Sequence, residues 1–141
     1  VMGGSRGGMT VLSLAGELIR DNYLYKNVNQ WFNAGVAFYP SCGKQKLLMP
    51  VIVFIGELDE WLSPTNCKLW KQRDEEQISS GLLQIFIYKN AHHGFNKELF
   101  KKLERSTSKN HDYAGRAYQY NEFADKDSET KMLDFFETRL N

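Results

Sequence analysis

No apolar run in this sequence is long enough to cross a bilayer. The longest, Leu47 to Ile55, is interrupted by Pro50 and falls well short of the roughly 20 residues that a spanning helix requires. Charge of one sign is equally scarce: 18 Lys and Arg stand against 17 Asp and Glu, a formal balance of +1 with no clustered basic tract. That removes the electrostatic footprint of a nucleic-acid binder or of a protein held on an anionic membrane. Cysteine and histidine are few, 2 and 3 in the chain. Cys42, Cys67, His92, His93 and His111 form no C-x-x-C, no H-E-x-x-H and no other ligand spacing, so a metal site is not expected. Internal repeats, low-complexity tracts and Asn-x-Ser/Thr sites are missing too. So are an initiator methionine at position 1 and a charged-then-apolar leader, and the opening Val1-Met2-Gly3-Gly4-Ser5 reads as the start of a segment from a longer chain.

What is present is ordinary globular material. The 141 residues are 42% hydrophobic, 13% aromatic and 25% charged, enough for one domain with a buried core and unlike a disordered or fibrous chain. After the glycines, Met9, Val11, Leu12, Leu14, Ala15, Leu18 and Ile19 recur at helical spacing, which predicts a helix from about Arg6 to Asp21. Ala34 to Tyr39, Val51 to Ile55 and Leu82 to Tyr88 are short apolar runs closed by Pro40, Gly56 and polar residues, the pattern of fully buried strands. Between Ser63-Pro64 and Gly81 the punctuation is that of a helix with Leu69, Trp70 and Ile78 inward. Lys97 to Arg105 reads as a short charged helix and Ser106 to Asp112 as loop. A final helix from Ser128 to Leu140 is expected, capped by Asp127, with Met132, Leu133, Phe136 and Leu140 on its buried face. Strands alternating with helices imply an α/β fold: three parallel strands with flanking helices.

Gly3-Gly4-Ser5-Arg6-Gly7 fits G-x-S-x-G, the nucleophile elbow, in which a strained strand-to-helix turn projects a serine Oγ from the sheet. Residues two before and two after the serine are expected to lack side chains so that the crossing backbones can approach. Two phosphate-binding readings compete for these glycines and fail. Met9 stands where a P-loop needs lysine, and Ser5 stands where a dinucleotide fingerprint needs glycine. Asp59 follows the second predicted strand and His93 the third, on the edge where α/β sheets place their sites. The order Ser5, Asp59, His93 is the Ser…Asp…His order of a catalytic triad on such a sheet. Glu60 reads as a surface charge and His92 as a bystander. Trp61 and Tyr39 are candidates for pocket lining or for packing.

These segments, with Ala37-Phe38-Tyr39-Pro40-Ser41-Cys42, Pro50 to Trp61 and Ala91-His92-His93-Gly94-Phe95, resemble the C-terminal half of a dienelactone hydrolase-type α/β-hydrolase. The resemblance covers most of residues 1 to 100. It implies Ser5 as nucleophile, Asp59 as acid, His93 as base and the backbone N–H of Arg6 as one oxyanion donor. Serine in place of the cysteine common in the namesake enzymes favours a carboxylesterase or lactonase acting on small esters. Residues 1–141 then form the C-terminal portion of one α/β-hydrolase domain. The N-terminal strands are missing, and so is the second oxyanion donor. On this reading the Val36 strand exposes an unpaired edge, and the chain needs its N-terminal half for stability and activity. The competing reading is a catalytically incompetent fragment or truncated relative with a structural or interaction role, its oligomeric state undetermined. For Cys42 and Cys67 two arrangements are open. Parallel neighbouring strands bring their ends to one edge, where a disulfide would imply an exported protein; two separate buried thiols would fit a cytoplasmic one.

Overall fold

The computed structural model describes residues 1–17 and 31–140. Its centre is a four-stranded parallel sheet in the order β1-β2-β3-β4, formed by Met2–Gly4, Gly35–Phe38, Val51–Gly56 and Leu83–Tyr88. Every residue of β2 and β3 is buried, which is why these runs carry no polar alternation. Val51, Ile52, Val53, Phe54 and Ile55 form the centre of the core, with Val36, Leu83 and Phe95 around them.

The sequence predicted three strands, and the structure adds β1. It pairs with β2 through Met2↔Val36, Gly3↔Ala37 and Gly4↔Phe38, so the expected open edge on the Val36 strand is occupied. A strand of Met-Gly-Gly has no β-branched residue and no alternation by which it could be recognised. The architecture of parallel strands with flanking helices is otherwise the one expected.

The first helix, α1, spans Arg6–Ala15 and packs on β1 and β2. It stops short of the predicted end because Gly16 turns to extended backbone and bridges Leu47. Residues 18–21 of the predicted helix lie outside the described residues. The polar stretch after β3 is two helices, α2 (Pro64–Arg73) and α3 (Glu75–Ser79), separated at Asp74. Ser63 caps α2 ahead of Pro64. The Asp74 carboxylate accepts from Trp70 Nε1 at 3.1 Å and caps α3. Burial alone would raise this carboxyl, but the bonds from Gln77 and Trp70 outweigh it and hold the group below its ordinary value.

Instead of a charged helix, Lys97 to Arg105 contains a single 3₁₀ turn at Glu98–Phe100 and the strand β5 (Glu104–Arg105). β5 pairs antiparallel with β6 (Ala117–Tyr118), so residues 106–116 are the loop of a hairpin. The last helix, α4, spans Glu122–Leu140 and begins six residues before the prediction. Its cap is Asn121, whose Oδ1 accepts from the Ala124 N–H at 2.9 Å. Asp127, the predicted cap, sits inside the helix and accepts from the Tyr88 hydroxyl at 2.8 Å. Ala124, Ser128 and Phe135 are its buried residues. Met132 and Phe136 are half-buried against the core, while Leu133 and Leu140 are exposed. The helical frame is therefore turned relative to the face expected. Among the described residues no helix is long and apolar enough to cross a membrane.

Cys42, just after β2, and Cys67, in α2, form a disulfide. It ties the turn leaving β2 to the helix that follows β3.

Candidate active site

Because β1 to β4 are all parallel, the residues that follow them collect at one edge of the sheet: Ser5 after β1, Tyr39 after β2, Asp59 after β3 and His93 after β4. The local backbone explains how each is presented. Ser5 has φ 55° and ψ −118°, a left-handed conformation that a non-glycine residue adopts only under constraint. Its N–H donates to the Phe38 carbonyl at 3.0 Å and its own carbonyl accepts from Met9 N–H at 3.0 Å, so the turn is bonded on both sides. At Gly3 a Cβ would lie 2.5 Å from the Gly7 carbonyl carbon, and at Gly8 one would lie 2.8 Å from the Phe38 oxygen. Gly7 is different, since a Cβ there meets nothing within 4 Å. The steric demand of this elbow falls on Gly3 and Gly8, a correction to the expectation that Gly3 and Gly7 share it.

Gly56 performs a similar task at the end of β3. A Cβ there would come within 2.2 Å of the Ala91 oxygen, so only glycine lets the segment before Asp59 cross the segment before His93. Asp59 and His93 are buried, at 5% and 4% exposure. Asp59 Oδ1 accepts from the backbone N–H groups of Trp61 at 2.8 Å and Leu62 at 2.9 Å. Its Oδ2 lies 2.7 Å from His93 Nδ1, and His93 Nε2 lies 3.1 Å from Ser5 Oγ. The structure thus brings Ser5, His93 and Asp59 into one hydrogen-bonded line. With Nδ1–H donated to the carboxylate, Nε2 is left as an acceptor facing the serine. Arg6 opens α1, where first-turn N–H groups have no intrahelical acceptor and the helix dipole favours negative charge.

Aromatic rings surround the imidazole. Tyr39 lies 4.5 Å from it between centroids, Trp61 5.7 Å and Tyr118 5.8 Å. Trp61 also stacks on Tyr113 at 5.5 Å, and Arg116 lies over both rings while its Nη1 donates to the Trp61 carbonyl at 2.8 Å. Burial, with the nearby Asp59 charge, pushes the Tyr39 hydroxyl up to about 12, so it remains a donor through neutral pH. The same two causes raise the Tyr118 hydroxyl.

A cavity of about 200 Å³ opens beside the serine, lined by Ser5, Arg6, Met9, Trp61, Leu62 and Tyr113 along with Ser108. Of the two aromatic candidates, Trp61 lines it; Tyr39 packs on His93 instead. Glu60 is exposed, as expected of a surface charge, and also accepts from the Ala117 N–H at 2.9 Å, which pins the β5–β6 hairpin over the site. His92 takes no part in the line, and its Nδ1 is buried without a partner. Sequence reasoning missed Tyr118 and Arg116, because nothing in the 97–121 stretch announces a hairpin returning to the site, and Asn96, which carries no signal beyond its distance from His93. Among the described residues no group of three or more His, Cys, Asp or Glu side chains is placed to hold a metal ion.

The profile of the dienelactone hydrolase family matches residues 22–140. No curated protein matches the chain. Among solved structures, a dienelactone hydrolase-like promiscuous phosphotriesterase from metagenomic libraries superposes with a TM-score of 0.65 at 20% identity, covering 98% of this chain and 51% of its own. A carboxylesterase from Lactobacillus plantarum gives 0.61 at 14% identity, covering 97% and 57%. Esterase 2 of Thermogutta terrifontis, phosphoramylated by tabun, gives 0.60 at 13% identity, covering 99% and 54%. At such identities the likeness is one of fold, and the chain spans about half the length of these relatives. With the family profile matching well over half of the chain, it belongs to the dienelactone hydrolase family.

Proposed function

We propose that the chain carries the catalytic machinery of a serine hydrolase that cleaves small carboxylic esters or lactones. The observation that carries this reading is the unbroken hydrogen-bonded line from Asp59 through His93 to Ser5, assembled from three strand ends with the serine on a strained turn. In the reaction, Ser5 Oγ attacks the ester carbonyl while its proton passes to His93 Nε2. Asp59 holds the imidazole in the Nδ1–H tautomer and stabilises the imidazolium that forms. The Arg6 N–H receives the oxyanion. His93 returns the proton to the leaving alkoxide, and water, activated by the same imidazole, releases the acid from the acyl-enzyme. This sequence draws on no metal and no organic cofactor. The small cavity walled by Met9, Leu62, Trp61 and Tyr113 suits a compact apolar group next to the ester.

The relatives are about twice as long, which favours a further point. We infer that a preceding N-terminal half completes the sheet beyond β1 and supplies the second oxyanion N–H, whose loss costs about 2.7–4 kcal/mol in the barrier. The 141 residues alone, in which the edge strand β1 pairs on one side only among the described residues, are then nearly inactive and prone to self-association. The competing reading, an incompetent piece with an interaction role, predicts no turnover even with that half present. Kinetics on p-nitrophenyl acetate with the N-terminal half restored decide between them. Ser5→Ala and His93→Ala should each lower kcat by several orders of magnitude, up to roughly 10⁶. Turnover within tenfold of the parent in Ser5→Ala would sink the mechanism.

A further inference from the structure

The imidazole of His93 is seated by a contact that the relay does not use. Tyr39 occupies the first position after β2 with φ 39°, a left-handed conformation in a residue with a bulky side chain. That conformation costs on the order of 1 kcal/mol or more and persists only where surrounding contacts enforce it. The contacts are visible: the ring is 2% exposed, packs 4.5 Å from His93 and 5.8 Å from Phe95, and its hydroxyl donates to Asn96 Oδ1 at 3.1 Å. Asn96 lies three residues after His93, beyond Gly94 at φ 69° and Phe95, which is fully buried. The bond therefore ties the loop that carries the histidine to the turn that carries the ring beneath it. The Cys42–Cys67 disulfide anchors that same turn to α2, three residues beyond Tyr39. Access to the substrate is not Tyr39's task, since it does not line the cavity beside Ser5.

We propose that Tyr39, locked by its hydroxyl bond to Asn96, is a positioning residue that fixes the imidazole plane of His93 between Asp59 and Ser5. This rests on His93 acting as the base. The chemical reason is directional. A proton moves well only when Nε2 aims at Ser5 Oγ while Nδ1–H still points at Asp59, and one ring rotation must satisfy both. Asp59 fixes one end of the ring; a rigid aromatic face against its flank removes the remaining rocking motion. The hydroxyl stays protonated up to high pH, so the clamp holds across the range in which a histidine base works.

The test uses Tyr39→Phe, Asn96→Leu, the double variant and Asn96→Asp, assayed for ester turnover with the N-terminal half present. Tyr39→Phe keeps the ring and loses only the hydroxyl. A misplacement on the order of 1 Å is worth about 10²-fold, so a partial loosening is expected to lower kcat about tenfold, with KM unchanged. Tyr39→Phe and Asn96→Leu share one bond, so the double variant should be no slower than either single one. Asn96→Asp, which keeps an acceptor oxygen, should recover most of the kcat lost in Asn96→Leu. A second readout does not depend on turnover: the downfield proton resonance of His93 Nδ1–H should be sharp in the parent and broadened in Tyr39→Phe. The proposal is overturned if kcat stays within twofold of the parent, if the loss lies in KM, if the single effects multiply in the double variant, or if the resonance is unchanged. A parent in which His93→Ala keeps its activity refutes the base assignment instead, a result separable from all of these.

Discussion

The elbow glycines offer a perturbation whose outcome follows from two distances. A Cβ at Gly3 would stand 2.5 Å from the Gly7 carbonyl carbon and 2.6 Å from its oxygen, both backbone atoms that no rotamer change can move aside. Ordinary carbon contacts fall at about 3.5–4.0 Å, so β1 and the first turn of α1 must separate by about 1 Å to admit an alanine. Overpacking of this kind costs about 1–3 kcal/mol in stability. The catalytic cost is larger, because the turn that separates is the one bearing Ser5. Moving Oγ by about 1 Å from its 3.1 Å contact with His93 Nε2 is expected to lower kcat about 10²-fold. Gly7→Ala is the matched control, a glycine of the same motif whose Cβ position is open and which lies on the exposed side of the first helical turn. There alanine relieves part of the roughly 1 kcal/mol helix penalty of glycine, so stability should rise slightly and kcat should stay within about twofold. Thermal melting and ester kinetics on both variants, with the N-terminal half present, check this. Equal damage from the two substitutions would refute the steric reasoning, as would a Gly3→Ala enzyme that keeps its activity within threefold.

Three further outcomes are expected. Opening the disulfide frees a loop with a sequence separation of 25, worth about 3.5 kcal/mol of chain entropy, which is about 12 °C in Tm for 141 residues and about 6 °C with an N-terminal half of equal length present. Calorimetry of Cys42→Ala/Cys67→Ala should show a drop of this order, matched by reductant on the parent; a shift under about 3 °C contradicts it. Asp59→Asn should cost kcat on the order of 10⁴, because an amide stabilises the wrong imidazole tautomer, and a loss of less than tenfold in ester kinetics counts against the assigned role. Stability should fall at both ends of a pH titration. Asp74, held below its ordinary value of 3.8, contributes stability above that value that is lost as pH falls through its lowered folded value. Tyr39, pushed up from 10.0 to about 12, loses stability as pH rises from 10 upward, because the unfolded chain then ionises first. Chemical denaturation from pH 2 to 12 on the parent, Asp74→Asn and Tyr39→Phe should show the acid limb shrinking in the first variant and the alkaline limb in the second.

The parts of this molecule that were legible in the sequence are those where one local signal decides the structure. β3 could be read because five consecutive apolar residues closed by glycine have no other stable use in a chain of this composition. That Ser5, Asp59 and His93 lie side by side could be read because parallel strands deliver their C-terminal ends to one edge, so chain order becomes spatial neighbourhood. What escaped was set by tertiary contact. β1 is a strand only because β2 is there to bond it. The start of α4 was misplaced because Asp127 offers a cap signal as good as that of Asn121, and the Tyr88 hydroxyl and Lys131 ammonium give Asp127 another task. The 97–121 stretch reads as charge and loop, yet Glu60 and Arg116 fold it back over the histidine through long-range bonds that no local pattern encodes. Asn96 carries no signal except its distance from His93, and its partner lies 57 residues earlier.

Covalent capture of the nucleophile tests the central claim most directly. The parent with its N-terminal half, Ser5→Ala and His93→Ala are incubated with a fluorophosphonate, digested and mapped by mass spectrometry. If Ser5 is activated by His93, the parent takes up one phosphonyl group, located on the peptide containing Ser5; Ser5→Ala takes up none, and His93→Ala reacts more slowly by orders of magnitude. An adduct on another residue, or labelling of Ser5 at the same rate with and without His93, would contradict the account.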